Sequence, residues 1–117
     1  MKLHTIMFCK RCGSTHIIDV RGRASEWILG EHIDTIDDCI DIHCYTCGNW
    51  DLGMALIPAD TLNAVSWVLR ELQRLIDRGD EDAGRLMIKL LTELEKRRWE
   101  DIKDEIAAEL IALEIST

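Results

Sequence analysis

The chain has 117 residues, of which 47% are hydrophobic, and carries 14 Lys and Arg against 22 Asp and Glu for a formal net charge of −8. This length suits one domain, or two very small ones, with an ordinary soluble core. Because both halves of the chain are acidic, the composition argues against general attraction to nucleic acid or to anionic lipid. The sequence has no apolar run of about 18 residues, so we expect no membrane span.

A five-residue phrase occurs twice in the first half of the chain, as Cys9-Lys10-Arg11-Cys12-Gly13 and as Cys44-Tyr45-Thr46-Cys47-Gly48. Both sulfurs of a Cys-x-x-Cys turn can face one metal ion at about 2.3 Å, and two such turns complete a tetrahedron of thiolates. The glycine that ends each phrase suits a backbone that turns away from the metal with positive φ, and we expect its N–H to approach a sulfur. The repeat predicts one metal site with the ligands Cys9, Cys12, Cys44 and Cys47.

We expect one structural zinc ion per chain, with three other uses of the cysteines left open. A redox Cys-x-x-Cys pair usually occurs once, at the start of a helix. The first eight residues hold no apolar run of signal-peptide length, which predicts a cytoplasmic, reducing location and favours a metal over two disulfides. A rubredoxin-like iron electron carrier would use similar turns, but the prolines and aromatic core of that family are missing here. Ligand softness and context favour zinc.

Residues 6–57 resemble the zinc-ribbon superfamily through the cysteines and glycines of the two phrases. In that superfamily two cysteine turns cap β-hairpins or a three-stranded sheet around a structural zinc. The stretch 20–23 and the return to the second cysteine pair also resemble the zinc-finger half of MqsA/YgiT-type antitoxins, without their helix-turn-helix module. The resemblance implies a β fold around a metal with four thiolate ligands, which leave no open position for water, so hydrolytic zinc chemistry is not expected.

Two other potential ligands lie near the second phrase. Alternation in the stretch 39–43 places Cys39 and His43 on one face of a half-buried strand. We expect Cys39 to be a small packed residue, because free cysteine is usually buried. His43 could replace a thiolate in a site of three cysteines and one histidine, although the complete cysteine set makes it unnecessary.

The sequence pattern changes at Pro58, the only proline. Before it, short apolar runs broken by glycine predict strands and turns. After it, apolar residues at steps of three and four predict a helix that begins with an N-cap at Asp60 and ends at Arg78-Gly79. We therefore expect an α+β fold, with a small N-terminal β zinc-ribbon domain at 1–58 and a C-terminal α-helical hairpin at 59–117.

The second helical stretch begins with a cap at Asp80 and reaches about Leu113. Its apolar stripe is interrupted at 95–101, which predicts a kink or a break into two helices. Trp67 lies beside the stripe of the first helix, so we expect it in the core. Trp99 lies in the charged interruption, where it is either an exposed partner contact or an anchor that fills the kink.

Four cations are the local exception to the acidic charge, and we consider them candidate partner contacts: Lys10, Arg11, Arg21 and Arg23. A nucleic-acid-binding transcriptional regulator would use them, with weak and salt-sensitive affinity because their surroundings are acidic. Alternatively, Lys10 and Arg11 only offset the negative charge of the thiolate site.

No catalytic motif is recognised, so we expect that the protein is not an enzyme. The leading hypothesis is a small zinc-binding regulator or adaptor that contacts another protein and forms a homodimer through its C-terminal helices. The alternative in a phage setting is an acidic inhibitor of a nucleic-acid-handling complex, such as an anti-CRISPR protein, an anti-restriction protein or a polymerase inhibitor.

Overall fold

The computed structural model describes residues 3–18, 24–26 and 43–116. In this part of the chain, five strands precede three helices. They are β1 Leu3–Cys9, β2 His16–Ile18, β3 Ala24–Glu26, β4 His43–Cys44, β5 Leu52–Pro58, α1 Ala59–Asp77, α2 Glu81–Leu94 and α3 Trp99–Ser116. The strands pair into two small antiparallel sheets, β1-β5 and β3-β2-β4. The predicted α+β class is confirmed, while Arg21, Arg23 and Cys39 lie outside the described residues.

The chain passes from strand to helix at Pro58, where the sequence pattern changes. β5 ends at this residue and α1 begins at Ala59. The predicted N-cap at Asp60 is wrong, because Pro58 occupies the cap position with φ −59° and ψ 145° and Asp60 lies in the first turn. The proline ring fixes φ near this value, so the strand leads into the helix without a polar cap. The division into two domains at this point stays a prediction.

The β1-β5 sheet packs one face against the helices. Strand alternation turns every second residue inward. The inward residues are buried in one cluster with the apolar stripes of all three helices, and they include Ile6, Phe8, Ala55 and Ile57. On the outward face, Leu56 keeps 51% of its surface exposed. A single core therefore joins the long strands to the helices.

The turn between α1 and α2 follows the predicted boundaries. Gly79 has a φ of +91°, and its N–H donates to the Ile76 carbonyl at 2.9 Å while the Asp80 N–H donates to the Leu75 carbonyl at 3.1 Å. This pair of bonds is the Schellman motif, which satisfies carbonyls at a helix C-terminus. The Asp80 side chain then accepts two backbone N–H bonds from the first turn of α2. The glycine stop and the aspartate cap are confirmed.

The predicted interruption of the last helix is a complete break. α2 ends at Leu94 and α3 begins at Trp99. α3 folds back antiparallel to α2, and the Lys89 ammonium joins the two helices through Glu105 at 2.9 Å and Glu109 at 3.0 Å. Because α1 and α2 are also antiparallel, α1 and α3 run in the same direction. The C-terminal half is thus a three-helix unit rather than a two-helix hairpin.

The two tryptophans of the helical half differ in exposure. Trp67 is 53% exposed, so the expectation that it lies in the core is wrong. Helical residues are about 100° apart, which places Trp67 opposite the buried stripe and turns its neighbour Val68 inward instead. Trp99 is partly buried and packs against the core at the start of α3. Its part in partner contact stays a prediction.

Two glycines allow a close approach between the first cysteine turn and α2. A Cβ added to Gly13 would lie 2.7 Å from the Cα of Gly84 in α2, and a Cβ added to Gly84 would lie 3.0 Å from the carbonyl carbon of Cys12. Real side chains do not tolerate such separations. The absence of a side chain on both residues therefore lets the first cysteine turn lie directly on the backbone of α2.

The Gly84→Ala substitution tests this contact, because helix propensity and steric contact change the free energy of unfolding in opposite directions. In a free helix, Ala at this position would stabilise the protein by about 1 kcal/mol. Here Gly84→Ala forces the first cysteine turn off α2, and we expect a loss of about 1 to 3 kcal/mol in the free energy of unfolding, measured by urea denaturation. Ala64→Gly, at an exposed position of α1, is the control, because it measures the effect of helix propensity alone on the free energy of unfolding. A Gly84→Ala variant more stable than the parent would contradict the close contact.

Candidate metal centre

The two cysteine turns have the same backbone geometry. Gly13 has a φ of +80° and Gly48 of +79°. The Gly13 N–H donates to the Cys9 carbonyl at 3.0 Å, and the Gly48 N–H donates to the Cys44 carbonyl at 2.9 Å. The positive φ expected from the sequence is confirmed. The expectation that the glycine N–H approaches a sulfur is wrong, because this N–H closes the turn onto a carbonyl.

The turns bring four sulfurs together between the strands. The ligand atoms of Cys9, Cys12, Cys44 and Cys47 all lie within 4.8 Å of one another. The Cys9 and Cys47 sulfurs are 3.6 Å apart, and the Cys12 and Cys44 sulfurs are 3.5 Å apart. A tetrahedron with metal–sulfur bonds of about 2.3 Å has edges of about 3.8 Å. The four predicted cysteines therefore lie close enough to bind one metal ion.

Hydrogen-bond donors surround the Cys9 sulfur. It accepts from the backbone N–H of Arg11 at 3.3 Å, from that of Cys12 at 3.4 Å, and from the Asn49 side-chain amide at 3.4 Å. Burial, the largest single influence, raises the pKa of the Cys9 thiol, but these donors together outweigh it and bring the pKa to about 7. Near neutral pH, much of this thiol is already in the thiolate form that binds metals.

At two other thiols of the site, burial outweighs the hydrogen bonds and the pKa is raised. Burial is the main reason that the pKa of Cys12 is raised, and the nearby Cys44 sulfur raises it further. Burial likewise raises the pKa of Cys44, although backbone N–H groups of the second turn oppose it. Four thiolates in this space repel one another unless a cation lies between them. A bound divalent metal would supply that charge and displace the thiol protons.

His43 lies beside the site without joining it. Its ring stacks on Trp50 with the ring centroids 4.7 Å apart, and the sulfur cluster does not include it. Its Nδ1 is buried and has no hydrogen-bond partner among the described residues. The four-cysteine ligand set is therefore the one that the geometry supports, rather than three cysteines and His43.

The structure describes two of the four cations predicted to contact a partner. Lys10 lies 3.6 Å from the Asp51 carboxylate, and both side chains are more than half exposed. Arg11 is exposed on the first cysteine turn, where its backbone donates to a site sulfur. Arg21 and Arg23 lie outside the described residues, so the predicted cluster of four cations stays a prediction.

A buried amide on α1, Gln73, joins the helix to both cysteine turns. Its Oε1 accepts from the Thr15 backbone N–H at 2.7 Å and from the Thr15 hydroxyl at 2.9 Å. Its Nε2 donates to the Ser14 hydroxyl at 3.2 Å and to the Asp77 carboxylate at 2.9 Å. From the second turn, the Thr46 hydroxyl donates to Ser14 at 2.8 Å. This network fixes the cysteine turns to each other and to α1.

The residues that hold the site against the helices were missed in the sequence. Gln73 interrupts the apolar stripe of α1 between Leu72 and Ile76, and a buried polar side chain needs hydrogen-bond partners. Gly84 lies inside a helix, where glycine is unfavourable unless another backbone approaches it closely. Both residues are unusual at their positions, but the sequence does not show which residues they contact.

Comparison of this chain with protein-family models, with curated proteins and with solved structures yields no match. In the described part of the chain, no helix is both long enough and apolar enough to cross a membrane.

The Asn49 amide is expected to increase metal affinity by donating to the Cys9 sulfur. Asn49→Ala removes that donor, so the pKa of the Cys9 thiol rises. A larger fraction of Cys9 is then protonated at pH 7, and the metal must displace that proton. Loss of a residue that supports a ligand typically weakens binding by about 10-fold or more. Chelator competition at pH 7 measures the change, with Asn63→Ala on exposed α1 surface as the matched control. Equal affinity of the two variants would contradict a supporting role for Asn49.

The Gln73 network is expected to contribute to stability because its groups are buried. Gln73→Leu leaves the Thr15 N–H without its acceptor, which costs about 1 to 3 kcal/mol. Denaturant unfolding measures this loss. The adjacent Arg74→Met removes an exposed cation that pairs with Glu71 and should change stability by less than about 0.5 kcal/mol. Similar effects of the two substitutions would show that the Gln73 bonds are not stabilising.

Proposed function

We propose that this protein is a small, non-enzymatic zinc-binding regulator or adaptor whose N-terminal half is a zinc ribbon. The observation that carries the proposal is the convergence of four cysteine sulfurs within 4.8 Å from two turns of identical hydrogen bonding. Four thiolates fill a tetrahedral site, so a metal held there has no open position for substrate or water. The role of the ion is structural, and its binding free energy contributes directly to folding.

The small apolar content of the ribbon supports a structural role for zinc. Away from the core shared with the helices, buried apolar packing in the described part of the ribbon consists of Met7 and Ile17, with Leu52 packed against them. So little apolar burial does not normally hold a small fold together. A zinc ion would join the two cysteine turns and maintain the surface around them. A reducing, cytoplasmic compartment is proposed on the same grounds, since thiolates must stay unoxidised.

Protein contact is proposed as the mode of action. The chain is acidic, and the Lys10 cation lies beside Asp51, which weakens its attraction for phosphate. Exposed aromatic side chains occur near the second turn, where Tyr45 is 70% and Trp50 is 58% exposed. Aromatic residues of this kind are enriched in protein interfaces. The ribbon would present them to another protein while the helices form the base.

Metal analysis combined with two cysteine substitutions tests the proposal. The purified protein should contain one zinc per chain, and chelation should unfold the ribbon as followed by near-UV circular dichroism. Cys12→Ser removes a ligand and should abolish stoichiometric zinc binding. Cys39→Ser, which removes the cysteine outside the two phrases, should leave the zinc content unchanged. Iron in place of zinc, or full zinc retention by Cys12→Ser, would overturn the proposal.

A further inference from the structure

The four cysteines of the candidate metal centre differ in their exposure to solvent. Cys9 and Cys44 are buried, Cys12 is half-buried, and Cys47 is exposed. This difference follows from the packing of the two turns. The first turn lies on the backbone of α2, whereas residues 45–48 of the second turn are all exposed. A reagent in solution therefore reaches Cys47 more easily than the other three cysteines.

Hydrogen bonding also distinguishes the exposed sulfur from a buried one. The Cys9 sulfur accepts from the backbone N–H groups of Arg11 and Cys12 and from the Asn49 amide. Among the described residues, the contact found for the Cys47 sulfur is with the Cys9 sulfur, and no N–H group donates to it. A donor draws negative charge away from a thiolate and makes its sulfur a weaker nucleophile. Exposure and the lack of donors both favour attack at Cys47.

A second sulfur lies within reach of Cys47. The sulfur of the buried Cys9 is 3.6 Å away, and a disulfide bond is about 2.05 Å long, so bond formation requires an approach of roughly 1.5 Å. The sulfurs of Cys12 and Cys44 are 3.5 Å apart and form the other close pair. Each pair joins one turn to the other. A bond between Cys9 and Cys47 would therefore keep the two turns together.

We propose that Cys47 is a site of oxidation by hydroperoxides and that Cys9 converts the oxidised sulfur into a disulfide between the turns. First, the Cys47 thiolate attacks one oxygen of hydrogen peroxide. An S–O bond forms, the O–O bond breaks, and hydroxide leaves and takes up a proton to become water. The Cys9 thiolate then attacks the sulfur of the Cys47 sulfenic acid. An S–S bond forms, the S–O bond breaks, and a second hydroxide leaves as water, so the two sulfurs lose the two electrons that the peroxide gains.

The disulfide has a consequence for the metal site. It removes two of the four sulfur ligands, so the tetrahedral set is no longer complete. This consequence rests on the zinc site proposed above, whereas the cross-link itself does not. A small thiol can attack the disulfide and restore both cysteines. Oxidation would thus reversibly release an ion whose binding stabilises the ribbon.

Peptide mapping of the zinc-loaded full chain, treated with an equimolar amount of hydrogen peroxide, tests the linkage. Cys39→Ser is the background, because only the four cysteines of the site then remain. Trypsin cleaves between the two cysteines of the first turn, and chymotrypsin cleaves at Tyr45 between those of the second turn. We expect the first disulfide to join Cys9 and Cys47. A chromogenic zinc indicator should detect release of zinc from the cross-linked chains, and dithiothreitol should reverse the cross-link.

A matched pair of variants tests which sulfur reacts first. Cys12→Ser and Cys47→Ser each remove one ligand, so any loss of the metal is common to both. Cys12→Ser keeps the exposed thiol and should still form the disulfide between Cys9 and Cys47. Cys47→Ser should consume peroxide at least about 10-fold more slowly than Cys12→Ser. Circular dichroism of both variants compares their folding, and the disulfide map of the Cys39→Ser background is independent of it.

Several outcomes would contradict the oxidation site. They are a first disulfide within one turn, a first disulfide between Cys12 and Cys44, four unreacted thiols after the treatment, and equal peroxide consumption by the two variants. A disulfide between Cys9 and Cys47 in a protein purified with iron or without metal would instead support the oxidation site and contradict the zinc proposal. Failure of one proposal is therefore distinguished from failure of the other.

Discussion

Repulsion among four closely spaced cysteine sulfurs is the constraint on which this structure depends. The sulfurs lie within 4.8 Å of one another, and burial raises the pKa of Cys12 and Cys44 while hydrogen bonds lower that of Cys9. Without a cation the sulfurs of the site cannot all be charged. With a divalent metal between them, the same crowding becomes a cross-link between residues that are far apart in the chain.

The helices contribute the rest of the support. The first cysteine turn lies on α2 through Gly13 and Gly84, and Gln73 of α1 satisfies the polar groups that follow this turn. The helical core is extensive, whereas the described N-terminal residues outside it form a small apolar cluster. A metal bound by the four cysteines would therefore hold the first cysteine turn from one side, while the helices hold it from the other.

The sequence was informative where the determinants are local. The repeated cysteine phrase predicted the four sulfurs that lie together, and Gly79 and Asp80 predicted the turn between the first two helices, because caps and turns are set by a few neighbouring residues. Determinants that depend on distant partners were missed. The contact of Gly84 with Cys12 joins positions 72 residues apart, and Gln73 of α1 bonds to Thr15 and Ser14 near the other end of the chain. No local pattern specifies such pairings.

X-ray absorption at the metal edge of the purified protein tests the four-sulfur site most directly. Fine structure at the zinc edge reports the type, number and distance of the ligand atoms. We expect four sulfur atoms at about 2.3 Å from the zinc and no nitrogen or oxygen atom bound to it. A nitrogen or oxygen atom at about 2.0 to 2.2 Å would contradict this expectation, because His43 or a water molecule would then occupy a position assigned here to cysteine.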